Sequence, residues 1–294
     1  MRIVHLLSWK LNDVKNNLDL IKHQNFDAVQ INPLQPLKEE STEHWWMSYQ
    51  PISFDIGNVY GSKEDLKNLC QEAQYRDIKI FADVICNHMA GKNDGSLIPH
   101  EKVDPELRDD ERYWKQPQQI FNWNDRRQVI HYCMGLPGLN VCFHKLQNKI
   151  IDFLNNYTAL GVSGFRFDAA KNIALPREGC DFWPRVISWL DKKDAFLYGE
   201  VIFEKEAILK EYKQYIHVLT NEGHVNPHKA IKFHESHDSY QCFKYTSNES
   251  SAEVANHYYH LNQHWPNTMF YARPYDDTWK SDKVREANYQ KVKR

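Results

Sequence analysis

The sequence predicts an α/β protein, a (β/α)8 TIM barrel with a small irregular insertion after the third strand. Strand and helix patterns alternate along nearly the whole chain, and no hairpin signal joins neighbouring strands, which together imply a parallel sheet. Eight strand patterns can be counted, and this number favours a closed barrel over an open sheet.

Short apolar runs bounded by turn residues predict the strands. They cover residues 3–9, 28–31, 79–85, 162–167, 195–199, 216–220, 230–234 and 268–272. Stretches with helical periodicity predict helices between the strands, and Ser62 to Asp65 opens one of them in capping-box style. The other helices are expected at residues 12–24, 144–160, 182–191, 204–215, 252–264 and 281–291.

Residues 89–140 are predicted to form an inserted, loop-rich subdomain. This stretch is rich in Asp, Asn, Pro and Trp and shows only weak periodicity. Residues 1–88 and 141–294 are therefore assigned to the barrel itself.

The composition is that of an ordinary soluble globular protein, with 294 residues, 41% of them hydrophobic and 26% charged. The formal net charge of -2 gives no excess of positive charge that would attract nucleic acid or an anionic membrane surface. No apolar run is long enough to cross a bilayer. We expect neither nucleic acid nor membrane as a partner, and the oligomeric state is left open.

Two features bear on the cellular compartment. The six cysteines are scattered without a C-x-x-C pair, which predicts reduced and mostly buried thiols. The first predicted strand begins almost at Met1, with no signal-peptide pattern before it, and this indicates a cytoplasmic protein. A chain from which a leader had been removed would look the same, and that protein would be extracellular.

Polar residues at the ends of four predicted strands form the candidate site. Arg166 and Asp168 lie two residues apart at the end of the fourth strand, so they share a face, and the cation should keep Asp168 charged. An isolated R-x-D pair would more often be a structural ion pair. In a barrel, however, the strand ends converge on one rim. The rim then gathers Asp168, Glu200 and Asp238 with His88, Arg166 and His237.

Three carboxylates at one mouth cannot all be comfortably ionised, so at least one should have a raised pKa and donate a proton near neutral pH. Two carboxylates with different pKa values are what glycoside hydrolysis needs, and nine Trp and sixteen Tyr suit a cleft that stacks on sugars. No P-loop or G-x-S-x-G pattern is present. His234 and His237 do not form a zinc motif, because they should face opposite sides of a strand.

Six stretches resemble the signature regions of the α-amylase family of glycoside hydrolases, in family order. They are DVICNH (83–88), GFRFDAAK (164–171), GEVI (199–202), FHESHD (233–238), WWMSYQP (45–51) and GLPGLN (135–140). The resemblance implies that Asp168 is the nucleophile, Glu200 the general acid and then base, and Asp238 the group that stabilises the distorted sugar. Retention of configuration would follow, with the carboxyl groups of nucleophile and acid about 5–5.5 Å apart.

The resemblance also implies roles for five substrate-binding residues. Arg166 would keep Asp168 charged and oriented, and Tyr49 would stack on the sugar face. His88 and His237 would hydrogen-bond its hydroxyl groups, and Lys171 would contact the leaving-group side.

The chain departs from the family pattern at the structural calcium site that many members hold. Asn87 and Asn172 stand at two ligand positions, and Asn172 could offer its backbone carbonyl where a His is common. Gly138 stands where an Asp is expected, and losing a carboxylate weakens a site for a hard cation. We expect no required cofactor, with Ca²⁺ as the candidate cation. The usual C-terminal β-sandwich domain is also expected to be missing.

The function implied is cleavage of α-1,4-glucosidic bonds in starch-like glucans or maltooligosaccharides through a covalent glycosyl-enzyme intermediate. The Ala169-Ala170-Lys171 run resembles amylases more than the family's 1,6-cleaving glucosidases. The alternatives are an α-glucan transglycosylase, an oligosaccharide α-glucosidase and a catalytically silent carbohydrate-binding relative. The substrate chain length and the choice between endo and exo action stay open.

Overall fold

The computed structural model describes residues 1–92, 95–222 and 224–290, and it confirms the (β/α)8 barrel. All neighbouring strands pair in parallel, and β8 pairs with β1 to close the barrel. The strands are β1 Arg2–His5, β2 Ala28–Ile31, β3 Lys79–Val84, β4 Gly164–Phe167, β5 Phe196–Glu200, β6 His217–Thr220, β7 Ala230–Phe233 and β8 Thr268–Tyr271.

Helices separate most of the neighbouring strands, as predicted, and α4 and α5 lie in the segment after β3. They are α1 Leu11–Asn16, α2 Leu18–His23, α3 Lys63–Tyr75, α4 Pro105–Arg108, α5 Arg126–His131, α6 His144–Ala159, α7 Phe182–Trp189, α8 Glu206–Tyr215, α9 Ser251–His264 and α10 Asp282–Tyr289. None of the helices in the described part of the chain has the length and apolar character needed to cross a membrane. The predicted end of the last helix at residue 291 lies outside the described residues.

Two predicted elements near the N-terminus are shorter than expected. The strand predicted to reach residue 9 ends at His5, and Ser8 beyond it has a left-handed backbone (φ 65°). The helix predicted at 12–24 is interrupted at Asn17, whose side-chain amide donates to the carbonyl of Asp13 at 2.9 Å. Such side-chain bonds compete with the helical pattern. The capping box of α3 forms as predicted, between Ser62 and Asp65.

Strand alternation decides which side chains of β4 reach the site. Gly164 and Arg166 face the barrel interior, and Phe165 and Phe167 join the outer core. Gly164 is required at its position because a Cβ there would lie 2.2 Å from the carbonyl oxygen of Phe196. Away from the carboxyl ends of the strands, the barrel centre is apolar. The side chains that meet there are Ile3, Ala28, Phe81, Tyr198, Leu219, Ile231, Phe233 and Met269. The centre becomes polar toward the carboxyl ends of the strands.

The prediction that all thiols are reduced is wrong for one pair. Cys142 and Cys180 form a disulfide with Cα atoms 5.0 Å apart. They precede α6 and α7, two helices that pack together, so folding brings them close although 38 positions separate them in sequence. The spacing alone could not reveal this. The free thiols of the described chain are Cys70, Cys86 and Cys133, which are buried, and Cys242, which is exposed.

Removing the disulfide should lower the stability of the barrel. A cross-link over 38 residues restricts the unfolded chain, and its loss is expected to cost about 3–4 kcal/mol in the loop-entropy account. We therefore expect the Cys142→Ser/Cys180→Ser variant to unfold at a lower urea concentration than the wild type. Cys242→Ser, which removes an exposed free thiol, is the matched control. An unchanged midpoint in the double variant would contradict the expectation.

Candidate active site

Arg166 lies at the centre of the polar end of the barrel and contacts three carboxylates. Its Nη1 is 2.9 Å from Oδ1 of Asp83 and 2.7 Å from Oδ1 of Asp168, and its Nη2 is 2.9 Å from Oε2 of Glu200. Only 1% of the residue is exposed. One guanidinium therefore fixes both Asp168 and Glu200 at the carboxyl end of the barrel, and the structure brings together the side chains that the sequence placed on adjacent strand ends.

A tight turn after β4 completes the contact between Asp168 and Glu200. Ala169 has a left-handed backbone (φ 46°), and its N–H donates to Oε2 of Glu200 at 3.2 Å. Gly199 permits this approach, because a Cβ there would lie 2.5 Å from the Cβ of Ala170. Non-glycine residues with positive φ carry strain and cluster at functional sites. The turn thus orients the two carboxylates relative to each other.

Asp83 is a site residue that the sequence analysis missed. It is fully buried, and it accepts hydrogen bonds from Arg166, from the hydroxyl of Tyr49 at 3.0 Å and from the amide of Gln30 at 3.3 Å. Burial raises the pKa of Asp83, while Arg166 opposes the shift. A signal for it was present, since Asp83 is an acidic residue among the apolar residues of the predicted strand 79–85. Its pairing with Arg166 depends on the register of β3 and β4.

Asp238 carries the raised pKa that three converging carboxylates should produce. It follows β7 on a single π-helical turn, Asp238–Cys242, and burial followed by the negative charge of Glu200 raises its pKa to about 7. Arg166 opposes the shift, but the positive charge is already shared among closer carboxylates. At neutral pH the cleft therefore contains a carboxyl group that holds its proton part of the time.

Neutral histidines and an aromatic ring form the wall beside these acids. The rings of Tyr49 and His237 stack with centroids 5.2 Å apart, and Nε2 of His88 lies 3.0 Å from the carbonyl oxygen of Tyr49. Burial lowers the pKa of His88, and burial with the charge of Arg166 lowers the pKa of His237 to about 3. Within the described chain, Nδ1 of each histidine has no hydrogen-bond partner. Both rings can therefore exchange hydrogen bonds with hydroxyl groups.

Two further residues of this wall escaped sequence reasoning. His5, at the end of β1, is buried and meets His237 edge to face with centroids 5.4 Å apart. Burial and the neighbouring His237 hold the pKa of His5 well below its usual value. Trp45 lies against His237 as well, at 5.2 Å between centroids. His5 could have been predicted, because it lies two residues after Ile3 on β1 and so faces the same interior side. The position of Trp45 could not, because it depends on an irregular loop.

Lys171 lies at the edge of the site rather than within the Arg166 cluster. Its Nζ donates to the carbonyl of Ile202 at 3.2 Å and lies 4.7 Å from the centre of the Trp123 ring. Burial lowers the pKa of Lys171, while Glu200 and Glu204 act in the opposite direction. Lys171 thus connects the loops that follow β4 and β5 on the side where Glu200 lies.

The expected calcium ligands contact a lysine. Nζ of Lys115 donates to Oδ1 of Asn87 at 2.7 Å and to the backbone carbonyl of Asn172 at 2.9 Å. Calcium takes six to eight oxygen ligands, usually with carboxylates among them. These neutral oxygens are already bonded to an amino group, and Gly138 supplies no carboxylate. The residues present therefore do not fit a calcium ion.

The two histidines of the 233–238 stretch lie beyond the end of β7, so the predicted strand does not include them, and their side chains have different surroundings. His237 faces the cleft, whereas His234 faces α9 and its Nε2 lies 2.7 Å from Oε2 of Glu249. His234 also stacks on His257 of α9, with centroids 4.1 Å apart. His234 and His237 therefore do not share a metal.

Comparison with known proteins places this arrangement in a family. The family model described as alpha amylase, catalytic domain, matches residues 10–272. An α-amylase of Clostridium acetobutylicum is 33% identical over an alignment of 271 positions that covers 81% of this chain and 35% of that protein. The match to an α-amylase-related protein of Drosophila serrata covers 37% of that protein, so the chain spans little more than a third of the curated relatives' length.

Solved structures agree at the level of the fold. An α-amylase of Geobacillus thermoleovorans, complexed with acarbose, superposes with a TM-score of 0.77 at 17% identity, covering 98% of this chain and 77% of that one. A cyclomaltodextrin glucanotransferase with three domains superposes with a TM-score of 0.74 at 16% identity, covering 95% of this chain and 71% of that one. At these identities the likeness shows the barrel and no more.

Replacing Asp238 by Asn should stabilise the protein, and increasingly so as the pH rises. The carboxyl group has a pKa near 7 in the folded state and near 4 when unfolded, so between these values the folded state keeps a proton that the unfolded state has lost. The stability that Asp238 contributes is therefore present below about pH 4 and is lost as the pH rises through about 7. Asn carries no such proton, so the variant should escape this loss.

The measurement is the melting temperature of wild type and Asp238→Asn at several pH values from 4 to 8. The difference should be small at pH 4 and reach several degrees at pH 7. Asp152→Asn, which removes an exposed carboxylate on α6, controls for the loss of one negative charge. A difference that shrinks with rising pH would refute the assignment.

Proposed function

The chain belongs to the α-amylase family, and we propose that it is a retaining glycoside hydrolase that cleaves α-1,4-glucosidic bonds in starch-like glucans or maltooligosaccharides. The observation that carries the proposal is the pair of ion contacts from Arg166 to Asp168 and Glu200, at 2.7 and 2.9 Å. Two carboxylates held by one guanidinium lie close enough to serve one glycosidic bond. The predicted separation of about 5–5.5 Å for a retaining enzyme stays a prediction.

In the proposed first step, Asp168 attacks the anomeric carbon and the bond to the leaving oxygen breaks. Arg166 stabilises the negative charge of Asp168 that makes the attack possible. Glu200 donates its proton to the leaving oxygen, so the departing chain leaves as a neutral alcohol. Asp168 and the sugar are then joined covalently, with the configuration at the anomeric carbon inverted once.

In the second step, Glu200 removes a proton from water, and the water oxygen attacks the same carbon. The bond to Asp168 breaks, and the second inversion restores the original configuration. The proton that Glu200 gave up in the first step is thereby regained. Asp238, beside Glu200, is suited to hydrogen-bond hydroxyl groups of the distorted sugar, since its carboxyl group can accept or donate.

The wall of the cleft supports binding of an uncharged polyol rather than an ion. His88 and His237 are neutral near pH 7 because burial lowers the pKa of each, and within the described residues Nδ1 of each has no hydrogen-bond partner. Tyr49 and Trp45 provide aromatic surface next to these groups. Hydroxyl groups can pair with the imidazole nitrogens while apolar sugar faces pack on the rings. A glucan satisfies both requirements.

Transfer to a sugar acceptor is the second candidate, because the fold is shared with a cyclomaltodextrin glucanotransferase and the covalent intermediate would be common to both reactions. Incubation with soluble starch and with maltoheptaose separates the two. New reducing ends would indicate hydrolysis, and altered chain lengths without new reducing ends would indicate transfer. If neither product formed, the enzymatic proposal would fail and a carbohydrate-binding role would be favoured.

The disulfide bears on the two locations that the sequence left open. Disulfides persist in oxidising compartments and are rare in the cytosol. Cys142–Cys180 therefore supports an extracellular site of action over the cytoplasmic expectation.

Asp168→Ala should lower the turnover number by several orders of magnitude, since it removes the group that forms the covalent intermediate. Release of reducing ends from maltoheptaose measures the effect, and the circular dichroism spectrum checks the fold. Asp152→Ala, at an exposed position on α6, is the matched control and should retain wild-type activity. Appreciable activity in a folded Asp168→Ala variant would show that another group is the nucleophile.

A further inference from the structure

Lys115 occupies the position where the resemblance to the family leads one to expect a structural cation. We propose that its amino group takes the place of a bound metal ion at the junction between the barrel and the segment after β3, so that the fold needs no calcium there. The proposal concerns how the site is held together. It does not depend on which sugar the cleft accepts.

The contacts of Lys115 join three parts of the chain. Its Nζ donates to Oδ1 of Asn87, which follows β3, and to the carbonyl of Asn172, which ends the helical turn Ala170–Asn172 after β4. Lys115 itself belongs to the segment that leaves the barrel between β3 and α6. One amino group therefore ties this segment to two adjacent strand ends, as a shared metal ion would.

Gly138 shows that the lysine and the missing carboxylate are linked. The N–H of Lys115 donates to the carbonyl of Gly138 at 2.8 Å, so the two residues lie side by side. A Cβ at position 138 would lie 2.8 Å from Cδ of Lys115, which is closer than carbon atoms approach without displacement. An Asp at 138 and the present conformation of Lys115 therefore exclude each other. Glycine therefore stands at the position where the lysine side chain needs the space.

The chemistry of the amino group suits the oxygens available. Two neutral oxygens would leave most of the coordination shell of Ca²⁺ empty, whereas they satisfy two donors of a lysine. An amino group has at least two N–H donors, so it can make both of the hydrogen bonds that the geometry shows. The cross-link therefore needs no metal.

The hydrogen bonds of Lys115 hold residues that are next in sequence to two residues of the cleft. Asn87 immediately precedes His88, and Asn172 immediately follows Lys171. Both neighbours belong to the loops that form the cleft. Loss of the amino group should loosen these loops together with the segment after β3, and it should leave the Arg166 cluster inside the barrel in place.

The first test compares the wild-type melting temperature in EDTA with that in millimolar CaCl₂. Because Lys115 already bonds the two oxygens, we expect the two values to be the same within the error of the measurement. The rate of reducing-end release from maltoheptaose should be equally unaffected. A clear rise with calcium, or a fall with EDTA, that is abolished in Asn87→Ala would show that a metal binds at this junction and would overturn the proposal.

The second test removes the amino group and keeps the aliphatic chain. Lys115→Met should melt several degrees lower than the wild type, and calcium should not restore it, because no carboxylate has been added. Lys92→Met, at an exposed lysine of the same segment, is the matched control and should melt like the wild type. If Lys115→Met were as stable as Lys92→Met, the amino group would not be a structural element and the proposal would be wrong.

The third test rebuilds a metal site and remains informative if Lys115→Met does not fold. The Lys115→Ala/Gly138→Asp variant removes the close contact and supplies a carboxylate next to Asn87 and Asn172, and Gly138 does not have a left-handed backbone that would exclude Asp. Its melting temperature should rise with CaCl₂ and fall with EDTA, unlike that of the wild type. A double variant that folds but ignores calcium would show that these oxygens do not surround a cation position, which contradicts the proposal.

Discussion

The guanidinium of Arg166 is the group on which the rest of the active end depends. A buried cation is costly unless its donors are paired, and here the pairing comes from Asp83 inside the barrel and from Asp168 and Glu200 at the rim. Asp83 is in turn held by Tyr49 and Gln30. The geometry of the two acids is therefore set from within the barrel rather than by the surface loops. Loss of Arg166 would leave three carboxylates facing one another in a buried space.

The single positive charge of Arg166 cannot balance four carboxyl groups, those of Asp83, Asp168, Glu200 and Asp238. This shortage of positive charge explains the pKa shifts in the cleft. Burial and the neighbouring negative charges raise the pKa of Asp83 and of Asp238, the two that respond by holding protons. The histidines add no compensating charge, because burial and Arg166 lower the pKa of His237. The cleft thus combines two carboxyl groups held by Arg166 with two that hold protons and with neutral rings. This combination costs stability, and it is what acid–base cleavage of an uncharged substrate requires.

The fold and most of the candidate site could be predicted because both depend on local patterns. Alternation along one strand puts Arg166 and Asp168 on the same face, and the convergence of parallel strand ends brings Glu200 beside them. The contacts that escaped prediction are set by the relative positions of distant segments. The pairing of Asp83 with Arg166 needs the register of two strands. Cys142 and Cys180 meet only because two helices pack together, and Lys115 lies in a stretch without periodicity.

In a parallel barrel, oxygen-bearing groups gather where the strands end, and they can lie close together only if positive charge or hydrogen-bond donors lie between them. Inside the barrel, Arg166 supplies both to Asp83, Asp168 and Glu200. At the outer edge, Lys115 donates hydrogen bonds to two neutral oxygens, Oδ1 of Asn87 and the backbone carbonyl of Asn172. A single amino group is sufficient there because the two oxygens that it binds are uncharged and Gly138 supplies no carboxylate.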